Sequence, residues 1–223
     1  MSLTRRDFLA SGARLGVFAA SGAAGLLSLS GSEASANTAA EAYFKGYAED
    51  SGFRFRRTNF DKIQPVWQRQ MVKYFSPEPP GTVVIDTRNH FLYVVFENST
   101  ALRYGVGVGR EGFQWFGRAR IDRKALWPRW VPPPEMIQRQ PDLPKMVEGG
   151  AANNPLGPRA MYLYRDGSDL GYRLHGTLEP WSIGKDVSSG CIRMFPEDVI
   201  DLYQRCPKGT KVLVLEHLGA NAG

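Results

Sequence analysis

Six short apolar runs, rich in Val, Tyr, Phe and Leu, recur between residue 81 and the C-terminal end of the chain. They are TVVIDT, HFLYVVFEN, ALRYGVGVG, RAMYLYRD, GYRLHGT and TKVLVLEH. β-Branched and aromatic residues favour strands, and turn residues such as Arg88-Asn89 and Asn98-Ser99 separate the first three runs. The pattern therefore predicts short β-strands, of which the first three form an antiparallel meander.

One segment near the C-terminus, PEDVIDLYQRCPKGT, has the pattern of an amphipathic helix. Pro196 suits the first helical position, acidic residues follow it, and Arg205 falls in the last turn. The predicted buried face consists of Val199, Leu202, Tyr203 and Cys206. With one helix among about seven strands, the chain is predicted to be mostly β, as a sandwich or a partly open barrel.

Two regions lack the strand pattern. Residues 37–80 form a predicted N-terminal extension, in which DKIQPVWQRQMVKYF has apolar residues at roughly helical spacing and predicts a short helix. Residues 112–157 are rich in Pro, Trp and Gly, which oppose regular structure and predict a loop that serves as a lid or a binding wall. The folded domain is expected over 81–216, and a short tail over 217–223.

The first 36 residues have the pattern of an export signal. Arg5 and Arg6 precede a short apolar run at about 15–29, and Ala34-Ser35-Ala36 provides a cleavage site. TRRDFL resembles the twin-arginine motif, whose cargo crosses the membrane folded. A membrane anchor is the alternative, but the run is short for a span and rich in Gly, Ala and Ser. We therefore expect a mature protein beginning near Asn37 in the periplasm, without a stable membrane span.

Composition and charge argue against several classes of function. The formal net charge of +6 comes from scattered basic residues, which does not favour nucleic-acid binding. The three histidines are not clustered, so no metal site is expected, and no cofactor motif is complete. GVGVGREG is not followed by a helix pattern, as a dinucleotide loop would be. SIGK has the serine-enzyme S-x-x-K spacing but lacks the partner motifs.

The two residues with candidate chemistry are His175, at the end of a predicted strand, and Cys191, in a Ser/Gly loop. An imidazole near a thiol can accept its proton and so activate it as a nucleophile. Gly190 would allow a sharp turn in which backbone N–H groups face a developing oxyanion. From the residues alone, a catalytic pair and two unrelated residues both remain possible. Export adds weight to the first, because an unpaired cysteine is uncommon in an oxidising compartment.

The segment YRLHGTLEPWSIGKDVSSGCIRM resembles the L,D-transpeptidase (YkuD-type) catalytic domain, in which H-G-T is followed by [S/T]-H-G-C-[I/V]-[R/N]. The resemblance extends over about residues 81–216 and implies a β-sandwich of mixed sheets with one short helix after the cysteine loop. It also implies an acyltransferase acting on peptidoglycan stem peptides, which carbapenem-type inhibitors should acylate.

The resemblance also assigns roles to single residues. Cys191 would be the nucleophile, His175 the base, and the Gly190 and Cys191 backbone N–H groups the oxyanion donors. Arg193 would bind a substrate carboxylate, and Ser188 would order the loop. The remaining predicted substrate contacts are Ser189, Gly176 and Trp181.

Ser189 departs from the family motif, which has histidine there. Because His175 is present as the base, we expect an active enzyme whose rate or acceptor differs. The acyl acceptor remains open between a second stem peptide and an envelope protein. The alternatives are an L,D-carboxypeptidase that uses water, and a catalytically silent peptidoglycan-binding protein.

Overall fold

The computed structural model describes residues 39–110 and 115–216, so the predicted export signal and C-terminal tail lie outside the described residues. After the helical residues 39–41, thirteen strands follow. They are β1 (Phe44–Asp50), β2 (Phe53–Thr58), β3 (Gln70–Lys73), β4 (Val83–Asp86), β5 (Phe91–Phe96), β6 (Thr100–Gly105), β7 (Val108–Gly109), β8 (Gly117–Leu126), β9 (Arg159–Arg165), β10 (Ser168–Gly176), β11 (Asp186–Ser188), β12 (Ile192–Met194) and β13 (Thr210–Val214). Two helices, α1 (Pro134–Arg139) and α2 (Pro196–Arg205), lie among them.

Nine of these strands form one mixed sheet in the order β12-β10-β9-β8-β13-β4-β5-β6-β3. The pairs β10–β12 and β4–β13 are parallel, and the other pairs are antiparallel. Strands β1 and β2 form a separate antiparallel hairpin, and β7 pairs with β11 in parallel. The predicted β-rich fold with mixed sheets and the predicted β4–β5–β6 meander are confirmed.

Both ends of the sheet contribute to a single hydrophobic core, since alternate residues of each strand face inward. The core contains Ile85 and Leu92 from one end of the sheet, and Met161 and Leu174 from the other. Helix α2 adds apolar side chains to this cluster, including Leu202. Helix α2 and the strands from both ends of the sheet therefore pack in the same core.

Helix α2 has the predicted boundaries and the predicted buried face. Pro196 occupies the first helical position, where its missing N–H breaks no helical hydrogen bond. Val199 and Leu202 are fully buried, and Cys206 lies buried at the C-terminal cap. Cys191 and Cys206 are both free thiols, so the prediction that they do not pair is confirmed.

The prediction of a loop throughout residues 112–157 is wrong in two places. Strand β8 has ten residues and lies inside the sheet, between β9 and β13. Its alternation is clear, because Ala119 and Ile121 are buried while Arg118 and Arg120 are exposed. Helix α1 begins at Pro134, the third proline of a run of three, at a helix-starting position that needs no N–H donor.

The short helix predicted in the N-terminal extension is also wrong. The segment forms two 3₁₀ turns, Phe60–Lys62 and Pro65–Trp67, and then β3, which is an edge strand of the main sheet. Pro65 starts the second turn, since proline cannot donate inside an α-helix. The extension therefore belongs partly to the domain that follows it.

Polar contacts attach the extension to helix α2. The Thr58 backbone N–H and side-chain hydroxyl both donate to the Glu197 carboxylate at 2.8 Å, and the Arg69 guanidinium lies 2.9 Å from Asp201. Because only four residues lie between Cys191 and the start of α2, these contacts also fix the element that follows the cysteine loop. Within residues 39–110 and 115–216, no helix combines the length and apolar character of a membrane span.

Candidate active site

Strands β10 and β12 bring the predicted catalytic residues onto one face of the sheet. Their parallel register pairs His175 with Arg193 and Leu174 with Ile192. Leu174 and Ile192 are buried in the core, and side chains alternate along a strand, so His175 and Arg193 point to the opposite face. Cys191 directly precedes β12 and, by the same alternation, shares that face. The fifteen residues between His175 and Cys191 therefore close into a loop with both groups at its ends.

The imidazole of His175 is held in one tautomer. Its Nδ1 lies 2.6 Å from the carbonyl oxygen of Gly176, which can only accept, so Nδ1 carries the hydrogen and Nε2 is an acceptor. Burial lowers the pKa of His175 to about 4, the Gly176 carbonyl opposes this shift, and the positive charges of Arg193 and Arg173 add to it. At neutral pH the ring is uncharged and can receive a proton.

The thiol of Cys191 is half-buried and unpaired. Burial raises its pKa, while a backbone hydrogen bond from Arg173 and the positive charges of Arg173 and Arg193 act in the opposite direction. The resting site therefore combines a neutral thiol and a neutral imidazole on the same face of the sheet. A thiol in this state needs a base to become a nucleophile, and the Nε2 atom of His175 is a suitable acceptor.

Ser188 holds the turn before the cysteine. Its buried hydroxyl donates to the Cys191 carbonyl oxygen at 2.6 Å and accepts the Gly190 backbone N–H at 3.1 Å. Gly190 has a φ of +107°, which side chains other than hydrogen rarely permit. The Gly190 N–H therefore donates to Ser188 in this structure, and its oxyanion role stays a prediction. The oxyanion role of the Cys191 N–H stays a prediction.

Arg193 lies beside the pair and is already in contact with a carboxylate. Its Nη1 lies 2.5 Å from Glu179, and its backbone exchanges two hydrogen bonds with Gly107, at 2.8 and 2.9 Å. A guanidinium has five donors, so one ion pair leaves others for a substrate. Glu179 was not predicted, because its importance depends on the fold of the loop and not on spacing. That Arg193 binds substrate stays a prediction.

Ser189 contacts the proline-rich segment. The Nη2 atom of Arg139, at the end of α1, lies 3.4 Å from the Ser189 hydroxyl. The prediction of a wall near the cysteine loop is therefore supported by one contact between these two segments. No sequence pattern points to Arg139, because its contact depends on how the proline-rich segment meets the cysteine loop.

Gly176 and Trp181 lie further along the loop. A Cβ at Gly176 would come within 2.9 Å of Pro158 and 3.3 Å of Val199, so no side chain fits there. The Trp181 ring contacts the rings of Tyr43 and Phe44 in the extension, with centroids 5.8 and 6.3 Å away. These contacts give Gly176 and Trp181 packing roles, and their substrate contacts stay predictions.

The other chemical candidates do not form sites. Ser182 of the S-x-x-K motif is buried and donates to the Glu179 carbonyl oxygen at 2.6 Å, while Lys185 is exposed. Burial raises the pKa of Cys206 to about 11, which keeps this thiol protonated. Within the described part of the chain, no group of three or more His, Cys, Asp or Glu side chains could hold a metal ion.

Solved structures with a similar fold include a Brucella melitensis protein described as a carnitine operon oxidoreductase. It is 46% identical, the match covers 70% of this chain and 99% of that one, and the TM-score is 0.47. The catalytic domain of the Enterococcus faecium L,D-transpeptidase, acylated by ertapenem, is 19% identical, with 60% and 95% covered and a TM-score of 0.44.

Curated relatives and a family model agree on one family. YqjB of Bacillus subtilis, named as an L,D-transpeptidase, is 32% identical over 162 residues, which cover 70% of this chain and 82% of that protein. A protein of Fuscovulum blasticum with the same family name is 40% identical over 99 residues, so this chain spans about half of its length. The model of the L,D-transpeptidase catalytic domain, YkuD, matches residues 80–214. The chain therefore belongs to the YkuD family of L,D-transpeptidase catalytic domains.

Proposed function

We propose that this protein is a cysteine acyltransferase that acts on the tetrapeptide stem of peptidoglycan. The observation that carries the proposal is the fixed tautomer of His175, whose unprotonated Nε2 lies on the same sheet face as the unpaired thiol of Cys191. A neutral imidazole with an unprotonated nitrogen, on the sheet face that carries the thiol, is the kind of group that can accept the thiol proton as a general base.

The first half of the reaction forms a thioester. Nε2 of His175 takes the Cys191 proton as the sulfur attacks the carbonyl carbon of the diamino acid at its L-centre. The bond from this carbon to the terminal D-alanine nitrogen then breaks, and the imidazolium returns its proton to the leaving amine. In the second half, an acceptor amine attacks the thioester, His175 takes the amine proton, and the Cys191 sulfur leaves and is reprotonated.

The acceptor is an amine, either of a second stem peptide, which gives a 3→3 cross-link, or of an envelope protein. The contact between Arg139 and Ser189 supports an amine over water, because it brings α1 towards the cysteine loop and reduces solvent access there. Hydrolysis, as in an L,D-carboxypeptidase, is the second candidate, favoured by the exposed fraction that Cys191 retains.

The place of action follows from the same proposal. Peptidoglycan lies outside the cytoplasmic membrane, and the first 36 residues have the pattern of an export signal with a twin-arginine motif. We propose that the protein is exported to the periplasm and acts there without a cofactor. N-terminal sequencing of the protein recovered from the periplasm should begin near Asn37.

The test is product analysis with purified mature protein and disaccharide-tetrapeptides. Cross-linked dimers together with free D-alanine support transfer, and tripeptides alone support hydrolysis. Cys191→Ala should abolish both products and the ertapenem adduct in intact-mass spectrometry. Cys206→Ala is the matched control, because it removes the other thiol and leaves the site intact. A wild-type protein that gives neither products nor an adduct would be a silent peptidoglycan-binding protein.

A further inference from the structure

We propose that Arg173, Tyr162 and Arg123 form a binding strip for a carboxylate of the peptidoglycan stem peptide. The proposal rests on the proposed substrate class and adds a subsite to it. The strip lies outside the cysteine loop, on strands β10, β9 and β8, and on the sheet face that carries His175.

The register of three neighbouring strands places these residues in one row. Tyr162 of β9 pairs with Arg173 of β10 on one side and with Arg123 of β8 on the other. Leu174 pairs with Ile192 in parallel register. The preceding residues on the two strands, Arg173 and Cys191, therefore lie opposite each other. The row therefore runs from the thiol across the sheet. With strands about 4.8 Å apart, Arg123 lies roughly 14 Å from the cysteine position.

The two arginines are held by the tyrosine ring between them. The guanidinium carbon of Arg173 lies 4.5 Å from the ring centroid, and that of Arg123 lies 4.3 Å from it. Tyr162 is only 7% exposed, so its ring is a fixed support. A guanidinium stacked on a ring keeps its N–H edge free to donate, and that planar edge matches a carboxylate.

The two guanidinium groups differ in what they already bind. Asp169 accepts two hydrogen bonds from Arg173, at 2.8 and 3.2 Å. Arg123 is exposed, and among residues 39–110 and 115–216 no carboxylate lies within ion-pair distance of it. Arg123 is thus a positioned cation without an anionic partner among the described residues. Arg173 lies between Arg123 and the thiol, and its positive charge acts on Cys191.

The charges on this face favour an anionic ligand. Among the described residues, Arg173 pairs with Asp169 and Arg193 with Glu179, so the positive charge that is left belongs to Arg123. A stem peptide acylated at Cys191 and extended along the row would bring its own carboxylates to this cation. The alternative is that the stack serves only to cover Tyr162.

Binding to a Cys191→Ala protein tests the strip without relying on catalysis. Isothermal titration would compare the disaccharide-tetrapeptide with free carboxylates and the same compound with these groups converted to carboxamides. We expect the carboxylate form to bind about tenfold more tightly. Adding Arg123→Gln should reduce that ratio to about twofold, and Arg123→Lys should keep part of it. Arg120→Gln, an exposed arginine on the same strand but outside the row, should leave it at tenfold.

The outcomes separate this proposal from the proposed function. An equal ratio in the Arg123→Gln and Arg120→Gln proteins overturns the strip, and so does a carboxylate compound that does not bind. A lower melting temperature of Arg123→Gln with an unchanged ratio means that the stack only covers Tyr162. If the affinity ratio falls as expected in Arg123→Gln but the wild-type protein, with Cys191 intact, gives no products, the subsite stands and the acyltransferase proposal fails.

Discussion

The protonation state of the proposed catalytic pair, His175 and Cys191, can be tested by following the reactivity of the Cys191 thiol with pH. The pKa of His175 is lowered to about 4, so at pH 7 only about one imidazole in a thousand is protonated. The pKa of Cys191 is raised by burial, so the thiol is neutral as well. The site should therefore not rest as a thiolate–imidazolium ion pair, in contrast to cysteine enzymes whose nucleophile has a strongly lowered pKa.

This state has a quantitative consequence for alkylation by iodoacetamide. Only the thiolate reacts, and well below the pKa of Cys191 its fraction changes tenfold for each pH unit. Between pH 6 and pH 8 the rate at Cys191 should therefore rise about 100-fold. Peptide-level mass spectrometry would follow this adduct separately from Cys206, whose buried thiol should not react. A rate that is level between pH 5 and pH 8 would falsify the neutral pair.

A second comparison, between alkylation and acyl transfer in a His175→Gln variant, tests the proposed role of His175 as a base. His175→Gln should alkylate with the same slope against pH, because a neutral ring does not stabilise the thiolate by charge. The same variant should lose acyl transfer by about 100-fold or more, because the general base is missing. If alkylation at pH 6 falls as strongly as acyl transfer does, the imidazole is charged in the resting enzyme and the assignment is wrong.

Three substitutions test the surroundings of the pair. Ser188→Ala leaves the Gly190 N–H without its partner, so it should cost about 1–3 kcal/mol of unfolding free energy and slow acylation by ertapenem about tenfold. Ser188→Thr should keep the wild-type stability and acylation rate. An unchanged alanine variant would show that the hydroxyl does not order the turn. Gly176→Ala should lower the unfolding free energy by about 1–3 kcal/mol in urea titrations, because the alanine Cβ would lie 2.9 Å from Pro158. An unchanged urea midpoint would mean that the backbone moves freely there. Burial raises the pKa of Asp198 to about 7, so its contribution to stability is full below the unfolded pKa near 3.8 and is lost as the pH rises through 7. The unfolding free energy of Asp198→Asn, measured relative to the wild type, should therefore rise by up to about 4 kcal/mol between pH 4 and pH 8. A free-energy difference that stays constant over this pH range would contradict the shift.

Sequence reasoning succeeded where local chemistry decides the structure. Helix α2 was predicted correctly because Pro196 marks its start and Arg205 its last turn, and because Val199 and Leu202 lie on one face. The relation of His175 to Cys191 is predicted through a motif, and the parallel register of β10 and β12 explains why fifteen intervening residues do not place them on different faces.

It failed where charge hides a strand or where contacts join distant segments. Strand β8 carries five charged residues in ten, yet Ala119 and Ile121 alternate with them and face the core. The Arg193–Glu179 pair and the contact of Arg139 with Ser189 have no local pattern, because each depends on how two loops meet. The extension was assigned a helix from apolar spacing, although Pro65 and the pairing of β3 with β6 favour turns and a strand.

The position of β13 has a consequence for the order in which the chain can fold during synthesis. β13 is the last strand among the residues that the structure describes, and it lies between β8 and β4, where Val212 pairs with Val83 and with Ala119. A nascent chain that ends before Thr210 therefore contains two sheet fragments with unpaired edges, and the fragments join only once β13 is available to pair with both. Contacts of such long sequence separation form slowly, and exposed edges promote aggregation. The centre of the fold is thus the part that is completed last.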